Sequence, residues 1–287
     1  AQVLKEEGFD VIACADGSEA LRALKQNTID ALITDLRMPG VCGMDLIKHA
    51  TKLAAEASII VITAFGEVET AVNAMKIAKN VGLDFQVNTT ITKTNLEQIP
   101  KIQQLAVKMG AVAHHIFLLV PTGRGKYIVD QAIDAAEYER TLNWFYDQRA
   151  TTPLQLKATC APHYYRILRQ RAKEEGISVD FETHGLDAVT RGCLGGIGFC
   201  FISHQGIVQP CGYLDLNCGD VRQSSFADIW NQSDIFLELR NYDKLKGKCG
   251  SCEYKRVCGG CRARAYEATG DFMREEPLCS YQPRSKK

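Results

Sequence analysis

The chain has 287 residues, and it carries no net charge because 34 basic side chains balance 34 acidic ones. This balance gives no reason to expect nucleic acid or a membrane surface as a partner, and no apolar run approaches the ~20 residues of a membrane-spanning helix. With 46% hydrophobic residues and no secretory leader, we expect a cytoplasmic globular protein of about two domains.

Two gradients along the chain indicate that its ends belong to different domains. Residues 1–80 carry 8 basic and 11 acidic side chains, whereas residues 241–287 carry 11 and 6. Nine of the 12 cysteines lie at or beyond Cys193. In a reducing cytosol, clustered cysteines bind metal or iron–sulfur clusters more often than they form disulfides.

The first eighty residues alternate between strand-like and helix-like segments. Apolar β-branched runs predict strands over 30–34 and 58–63, and helical patterns cover 17–26, 43–54 and 67–79. This alternation predicts an α/β fold with a parallel sheet.

Two polar residues end these strands. Asp35 follows the first strand and Thr63 ends the second, and ligands gather at the carboxyl edge of such sheets. Alternatively, Asp35 only caps a turn before Pro39.

The motifs "ITDLRMPGVCGMDLI" and "IIVITAFGEVETAVNAMK" resemble response-regulator receiver domains over residues 1–79. The resemblance implies that Asp35 accepts a phosphoryl group from a histidine kinase, that Thr63 contacts this group and that Mg²⁺ assists the transfer. The family's first strand, which carries an acidic pair, has no counterpart in these 287 residues. The family's Lys-Pro pair, at the end of the fifth strand, has none either. We therefore expect a truncated doubly wound receiver-like sheet with little or no phosphorylation.

The middle of the chain continues the alternation. Strands are predicted over 84–91, 114–121 and 154–160, with helices over 95–110 and 135–149. Three strand–helix repeats predict part of a β/α barrel. Asn95 and Gly110 are placed to cap the first of these helices.

Other residues near these strands are candidate contacts for a substrate or cofactor. Arg124, between two glycines, follows the second strand and suits a carboxylate or phosphate. His163 follows the third strand in "CAPHYYR", where a ligand contact and a loop packed on the core are equally consistent with the sequence. For His114 and His115 we expect a structural role, one ring packed and one solvated.

The strongest pattern is Cys249-x2-Cys252-x5-Cys258-x2-Cys261, followed by Cys279. Cysteines two residues apart can direct both sulfurs at one metal centre from a tight turn. Further cysteines lie upstream, at positions 193, 200, 211 and 218. A zinc ribbon would use four of the downstream cysteines and leave the upstream ones unexplained, whereas two four-iron clusters would use eight thiolates.

Residues 82–282 resemble the carboxyl half of radical S-adenosylmethionine enzymes with a SPASM domain. The stretches "NTTITKTNLEQIP", "LKATCAPHYYRILRQRA" and "CGSCEYKRVCGGCRARAYEATGD" are similar to those of the alternative haem b synthases. The resemblance implies oxidative decarboxylation of two iron-coproporphyrin III propionates to vinyl groups. It therefore implies a porphyrin substrate, S-adenosylmethionine and an electron donor. Didecarboxysirohaem deacetylases and haem d1 maturation proteins are related.

The same resemblance implies two auxiliary 4Fe-4S clusters. One takes Cys193, Cys200, Cys211 and Cys261, and the other takes Cys249, Cys252, Cys258 and Cys279. Cys160 and Cys218 fall outside these eight residues and are either spare thiols or substitute ligands.

The family's Cys-x3-Cys-x2-Cys motif is absent from the 287 residues, so we expect this chain alone to be inactive. We predict a receiver-like domain over 1–79, a partial barrel over 82–186 and a Cys-rich SPASM iron–sulfur domain over 187–287. The junction near 79–82 lacks a linker, which is consistent with a sequence chimera or a truncated gene fusion. Three functions stay open: part of a haem synthase, a phosphorelay receiver and a zinc-stabilised structural module.

Overall fold

The computed structural model describes residues 4–5, 8–35, 38, 40–54, 56–62 and 68–284. The chain divides into two compact units, Ala1–Val87 with Ile102–Ala113 and Asn88–Lys101 with His114–Lys287. The architecture is mixed α/β and includes parallel strands.

The first elements match the predicted ones to within about one residue. In chain order they are α1 (Gly17–Gln26), β1 (Ala31–Asp35), α2 (Gly43–Leu53), β2 (Ser58–Ile62) and α3 (Val68–Asn80). Strands β1 and β2 are parallel and pair from Ala31 opposite Ser58 to Asp35 opposite Ile62. Asp35 therefore lies at the carboxyl edge of this two-stranded sheet.

Helix α1 is stabilised by a capping residue at its N-terminus and by an apolar face that packs against α2. The Asp16 side chain accepts hydrogen bonds from the backbone N–H groups of Ser18 and Glu19, which caps the helix. Ala20 and Leu24 are four residues apart, so they share one face of α1. They pack with buried residues of α2 in one apolar cluster.

The next elements form a three-stranded sheet in the order β3–β4–β5. Its strands are β3 (Gln86–Ile91), β4 (Ala113–Leu118) and β5 (Gln155–Thr159), and the helices are α4 (Ile99–Met109), α5 (Ala135–Gln148) and α6 (His163–Glu174). Short 3-10 helices cover Leu96–Gln98 and Gly123–Gln131. A helix joins each consecutive pair of strands, which is the connection that parallel neighbours require.

Of the two predicted caps of α4, Gly110 is observed, whereas the Asn95 side chain does not cap the helix. Gly110 ends the helix with φ of +82°, the left-handed backbone that favours glycine. The side chain of Asn95 instead binds the preceding loop, accepting from the Thr92 N–H at 2.9 Å and donating to the Thr90 carbonyl at 2.8 Å.

The Cys-rich part of the chain consists of short elements. In chain order they are α7 (Phe181–His184), α8 (Leu186–Val189), β6 (Phe201–Ile202), β7 (Ile207–Gln209), β8 (Gly219–Asp220), α9 (Phe226–Gln232), α10 (Asp234–Arg240), a 3-10 turn (Tyr242–Lys244), α11 (Gly247–Ser251) and α12 (Arg262–Thr269). Strands β6, β7 and β8 form an antiparallel sheet in that order. Beside it lies an apolar core built around Val208, Phe236 and Met273.

Across the described ranges, no helix is long and apolar enough to cross a membrane.

The two histidines at the start of β4 take the expected structural positions. His114 is fully buried, with its Nε2 atom 3.0 Å from the Thr89 hydroxyl, and its ring meets Phe145 edge-on. His115 is half-buried. Burial, with the charge of His115, lowers the pKa of His114 to about 4.

This burial predicts a pH-dependent stability. The unfolded imidazole has a pKa of ~6.5, so between pH 6.5 and 4 the unfolded chain binds a proton that folded His114 does not. Stability should therefore fall as the pH drops, by about 2 kcal/mol for this group at pH 5. In urea unfolding at pH 7 and pH 5, His114→Gln should lose correspondingly less stability than the wild type. His204→Gln, at an exposed position, is the matched control, and an equal loss in all three proteins would contradict this account.

Candidate metal centres

Four of the predicted cysteine ligands line one cavity. Cys249, Cys252, Cys258 and Cys279 surround a space of about 370 Å³, including its open mouth. The same cavity is lined by basic residues and by two buried groups from different parts of the chain: His163, Arg166, Lys248, Lys255 and Glu276. The structure thus brings together the second predicted set of thiols.

The turn after Cys258 explains why Cys261 lies elsewhere. Gly259 and Gly260 have φ of +71° and +65°, a backbone that other residues rarely adopt. A Cβ atom on Gly260 would also lie 2.8 Å from the Glu276 Cβ and 3.3 Å from the Cys249 sulfur. The two glycines therefore let the chain turn between Cys258, which faces the cavity, and Cys261, which joins a different buried cluster.

Backbone N–H groups point at three of the cavity's sulfurs. Cys249 accepts from the N–H of Glu276 at 3.4 Å, Cys252 from that of Tyr254 at 3.4 Å and Cys258 from that of Gly260 at 3.5 Å. Such N–H···S bonds orient thiolate ligands and tune the potential of iron–sulfur clusters.

The charge around the cavity suits a group that carries negative charge. Arg166, Lys248 and Lys255 line it, while the Glu276 carboxylate is neutralised by Arg264, 2.9 Å away. Burial raises the pKa of the Cys258 and Cys279 thiols, so a bound metal is what would hold them as thiolates. Four thiols within a basic lining are the donor set that an iron–sulfur cluster needs.

His163 adds an unsatisfied donor to this cavity. It begins α6, is only 1% exposed and meets the Tyr138 ring edge-on. Burial lowers its pKa to about 3, so the ring is neutral. Within the described part of the chain neither ring nitrogen has a hydrogen-bond partner, although buried polar groups are nearly always paired. A group held in this cavity that accepts a hydrogen bond would satisfy one of these nitrogens.

A second group of thiols forms around Cys261. Cys160 and Cys211 pack against the buried cluster that contains Cys261 and Leu214. Burial raises the pKa of Cys211 to about 12, and electrostatic repulsion from Cys193 and Cys261 adds to this effect. Cys211 and Cys261 of the first predicted set therefore pack in one cluster, and Cys193 lies near enough to act electrostatically on both thiols.

Cys200, the fourth member of that set, lies elsewhere. It packs with Cys218 against the core that contains Val208 and Phe236. Burial, with the charge of Cys200, raises the pKa of Cys218 to about 11. All twelve cysteines are described, and none forms a disulfide. Among the described residues, no three Cys, His, Asp or Glu side chains are arranged to hold a single metal ion.

Arg264 is a buried residue of this region that the sequence did not reveal. Its guanidinium is 2% exposed and binds Glu276, the Tyr138 hydroxyl at 3.0 Å and the Cys160 carbonyl at 2.8 Å. These contacts tie α12 to α5 and to the end of β5. In the sequence, an arginine in "CRARAYE" is typical of a solvent-exposed position. No sequence signal therefore indicated that Arg264 is buried and hydrogen-bonded.

The remaining predicted site residues lie partly outside the described structure. Asp35 is exposed at the end of β1. Thr63 lies outside the described residues, and so does the side chain of Arg124, whose backbone belongs to the 3-10 helix Gly123–Gln131.

Comparison with known families gives two matches. Residues 1–96 match the response regulator receiver domain, and residues 193–261 match the SPASM iron–sulfur cluster-binding domain. The SPASM match begins at Cys193 and ends at Cys261, so it contains seven of the eight predicted cluster ligands.

Known proteins are similar over a longer stretch. The AdoMet-dependent heme synthase of Nitratidesulfovibrio vulgaris is 60% identical over 219 residues, which is 76% of this chain and 60% of that protein. The AdoMet-dependent heme synthase of Methanosarcina barkeri is 52% identical over 221 residues, 77% of this chain and 63% of that protein. The chain thus spans about three fifths of the length of these relatives.

Among solved structures, Streptococcus suis SuiB bound to S-adenosylmethionine shares the fold, with a TM-score of 0.59, 15% identity and coverage of 91% of this chain and 62% of that one. The chain therefore combines a response-regulator receiver domain match at its N-terminus with a SPASM iron–sulfur cluster-binding domain match, and three quarters of it is similar to AdoMet-dependent heme synthases.

Proposed function

We propose that this chain provides the auxiliary iron–sulfur portion of a radical S-adenosylmethionine haem synthase. The observation that carries the proposal is the cavity in which Cys249, Cys252, Cys258 and Cys279 converge, in a chain that is 60% identical over 219 residues to an AdoMet-dependent heme synthase. The reaction is the oxidative decarboxylation of iron-coproporphyrin III propionates to vinyl groups.

Within this proposal the chain's domains take defined roles. Residues 1–79 form a doubly wound receiver-like domain, residues 82–186 supply part of the β/α barrel, and residues 187–287 form the SPASM-type domain with two 4Fe-4S clusters. The strand–helix order of β3 to α6 supports the barrel assignment.

The residues around the cavity would hold and tune one cluster. When bound, the clusters supply one-electron transfer between the active site and an external electron donor. Backbone N–H groups of Glu276, Tyr254 and Gly260 orient the thiolates. The neutral ring of His163 has a nitrogen free to donate toward the guest, and Arg166 is fixed beside it by Glu139, 2.5 Å away.

A hybrid protein tests the proposed reaction. The chain lacks Cys-x3-Cys-x2-Cys, so with S-adenosylmethionine and a reductant it should release no 5′-deoxyadenosine. Joining the N-terminal part of the Nitratidesulfovibrio vulgaris relative to residues 82–287 should restore both this cleavage and conversion of iron-coproporphyrin III to haem. The products are measured by mass spectrometry.

Two results would contradict this proposal. Release of 5′-deoxyadenosine by the unmodified chain would show that other cysteines supply the missing site. A hybrid that cleaves S-adenosylmethionine but leaves iron-coproporphyrin III unchanged would show that the porphyrin assignment is wrong.

The receiver match favours a second activity in the N-terminal segment. Asp35 ends β1 at the edge where parallel strands present ligands. In this proposal a histidine kinase is the phosphoryl donor and Mg²⁺ is the cofactor, with Thr63 beside the phosphoryl group. We expect acetyl phosphate with Mg²⁺ to give the chain little or no label and Asp35→Asn none. Equal labelling of the two proteins would contradict the assignment of Asp35, and stoichiometric labelling of the wild type would contradict the expected loss of phosphorylation.

A zinc ribbon is less well supported than two clusters. The ribbon would combine Cys249, Cys252 and Cys258 with Cys261, but in the structure these three share their cavity with Cys279. Cys261 packs with Cys160 and Cys211 instead.

A further inference from the structure

Cys160 has an unusual backbone conformation. Among the described residues it is the one non-glycine residue with positive φ, at +55°, a conformation that costs a cysteine free energy and persists only where its surroundings impose it. Its carbonyl accepts hydrogen bonds from the Tyr138 hydroxyl at 3.2 Å and from Arg264 at 2.8 Å. These bonds hold the chain in the turn that follows β5.

This conformation places the Cys160 side chain among other thiols. Cys160 packs with Cys211 against the buried cluster that contains Cys261. Burial raises the pKa of the Cys160 thiol to about 12, and the nearby thiolates of Cys261, Cys211 and Cys193 also act on it. Cys160 thus lies beside Cys211 and Cys261, two of the four residues that the resemblance assigns to the first cluster, and near a third, Cys193.

The β6–β7 hairpin explains why Cys200 does not fill that position. Phe201 pairs with Gln209 and Ile202 with Val208, and successive side chains on a strand point to opposite faces. By this alternation Cys200 shares the face of Val208, whereas Cys211 shares the face of Gln209. The observed packing agrees, because Cys200 contacts the Val208 core and Cys211 contacts the Cys261 cluster.

We propose that Cys160, rather than Cys200, is the fourth ligand of the iron–sulfur site formed by Cys193, Cys211 and Cys261. This assignment rests on the proposed function, since it refines the ligands of one of its two clusters. On binding, each of the four thiols loses its proton to solvent and forms an Fe–S bond. Cys200 and Cys218 then pack as thiols in the apolar core.

The full chain with Cys160→Gly provides a clean test. Glycine adopts positive φ without strain, so this variant removes the thiol and should fold at least as well as the wild type. The comparison variants are Cys200→Ala and Cys218→Ala. Each protein is reconstituted anaerobically with iron and sulfide, then analysed for iron, for sulfide and by electron paramagnetic resonance. Far-ultraviolet circular dichroism confirms folding.

The iron content expected for each variant shows whether Cys160 or Cys200 is the ligand. Cys160→Gly should lose about four irons with one cluster, or about one iron with the appearance of a three-iron cluster signal. Cys200→Ala and Cys218→Ala should keep the iron content and spectrum of the wild type. Loss of iron in Cys200→Ala, or an unchanged Cys160→Gly protein, would overturn the assignment. A wild type that binds no iron would instead reject the proposed function itself.

Discussion

Replacing Arg264 with methionine should destabilise the chain by about 3–5 kcal/mol, because the substitution leaves a buried carboxylate without its cation. Arg264 and Glu276 are 2% and 0% exposed, and their closest N–O distance is 2.9 Å. Burial alone would raise the pKa of Glu276, but Arg264 and further hydrogen bonds hold it at about 2. The substitution also removes one of the two donors to the Cys160 carbonyl.

Urea unfolding of the metal-free chain at pH 7 measures this effect. Arg284→Met is the matched control: Arg284 is 80% exposed and lies 3.9 Å from Glu253, and a surface pair contributes at most about 1 kcal/mol. The double variant Arg264→Met with Glu276→Gln should recover part of the loss, since the unpaired charge is then removed. If Arg264→Met loses no more unfolding free energy than Arg284→Met, the buried Arg264–Glu276 pair does not stabilise the fold.

Replacing Cys258 with alanine should remove one cluster, and with it about four irons per chain. Cys258 is buried, faces the cavity with Cys249, Cys252 and Cys279, and accepts the Gly260 N–H. Part of the folding free energy of a small metal domain comes from ligation. We therefore also expect the 241–287 segment to lose protection from proteolysis.

The control for Cys258→Ala is Cys42→Ala. Cys42 lies at the start of α2, in the other compact unit. This variant should keep the iron content of the wild type. Full iron content and unchanged proteolysis in Cys258→Ala would show that the cavity does not hold a cluster. Partial protection of the segment is expected even without metal, because Leu245 and Met273 belong to the apolar core around Phe236.

The helices and strands of the first eighty residues were predictable because their local signals agree, whereas the elements after residue 160, including the helix that begins at His163, were not predicted. Asp16 and the spacing of Ala20 and Leu24 define α1, and the β-branched runs before Asp35 and Thr63 define the parallel pair. The clustering of candidate metal-ligating cysteines beyond Cys193 was likewise visible in the sequence.

What spacing could not predict is which sulfurs lie together. Cys258 and Cys261 are separated only by two glycines, whose positive φ values send the two side chains to different sites. Cys200 and Cys211 point to opposite faces only because a hairpin pairs Phe201 with Gln209. Cys160 and Arg264 are 104 positions apart, and their hydrogen bond depends on the tertiary fold.

Iron, acid-labile sulfide and zinc per chain, measured on the anaerobically reconstituted wild type, test the central claim most directly. Two clusters on two sets of four thiols predict about eight irons and eight sulfides, with zinc well below one equivalent. About one zinc ion per chain without sulfide would contradict the account and would assign the Cys-rich segment to a zinc-stabilised module.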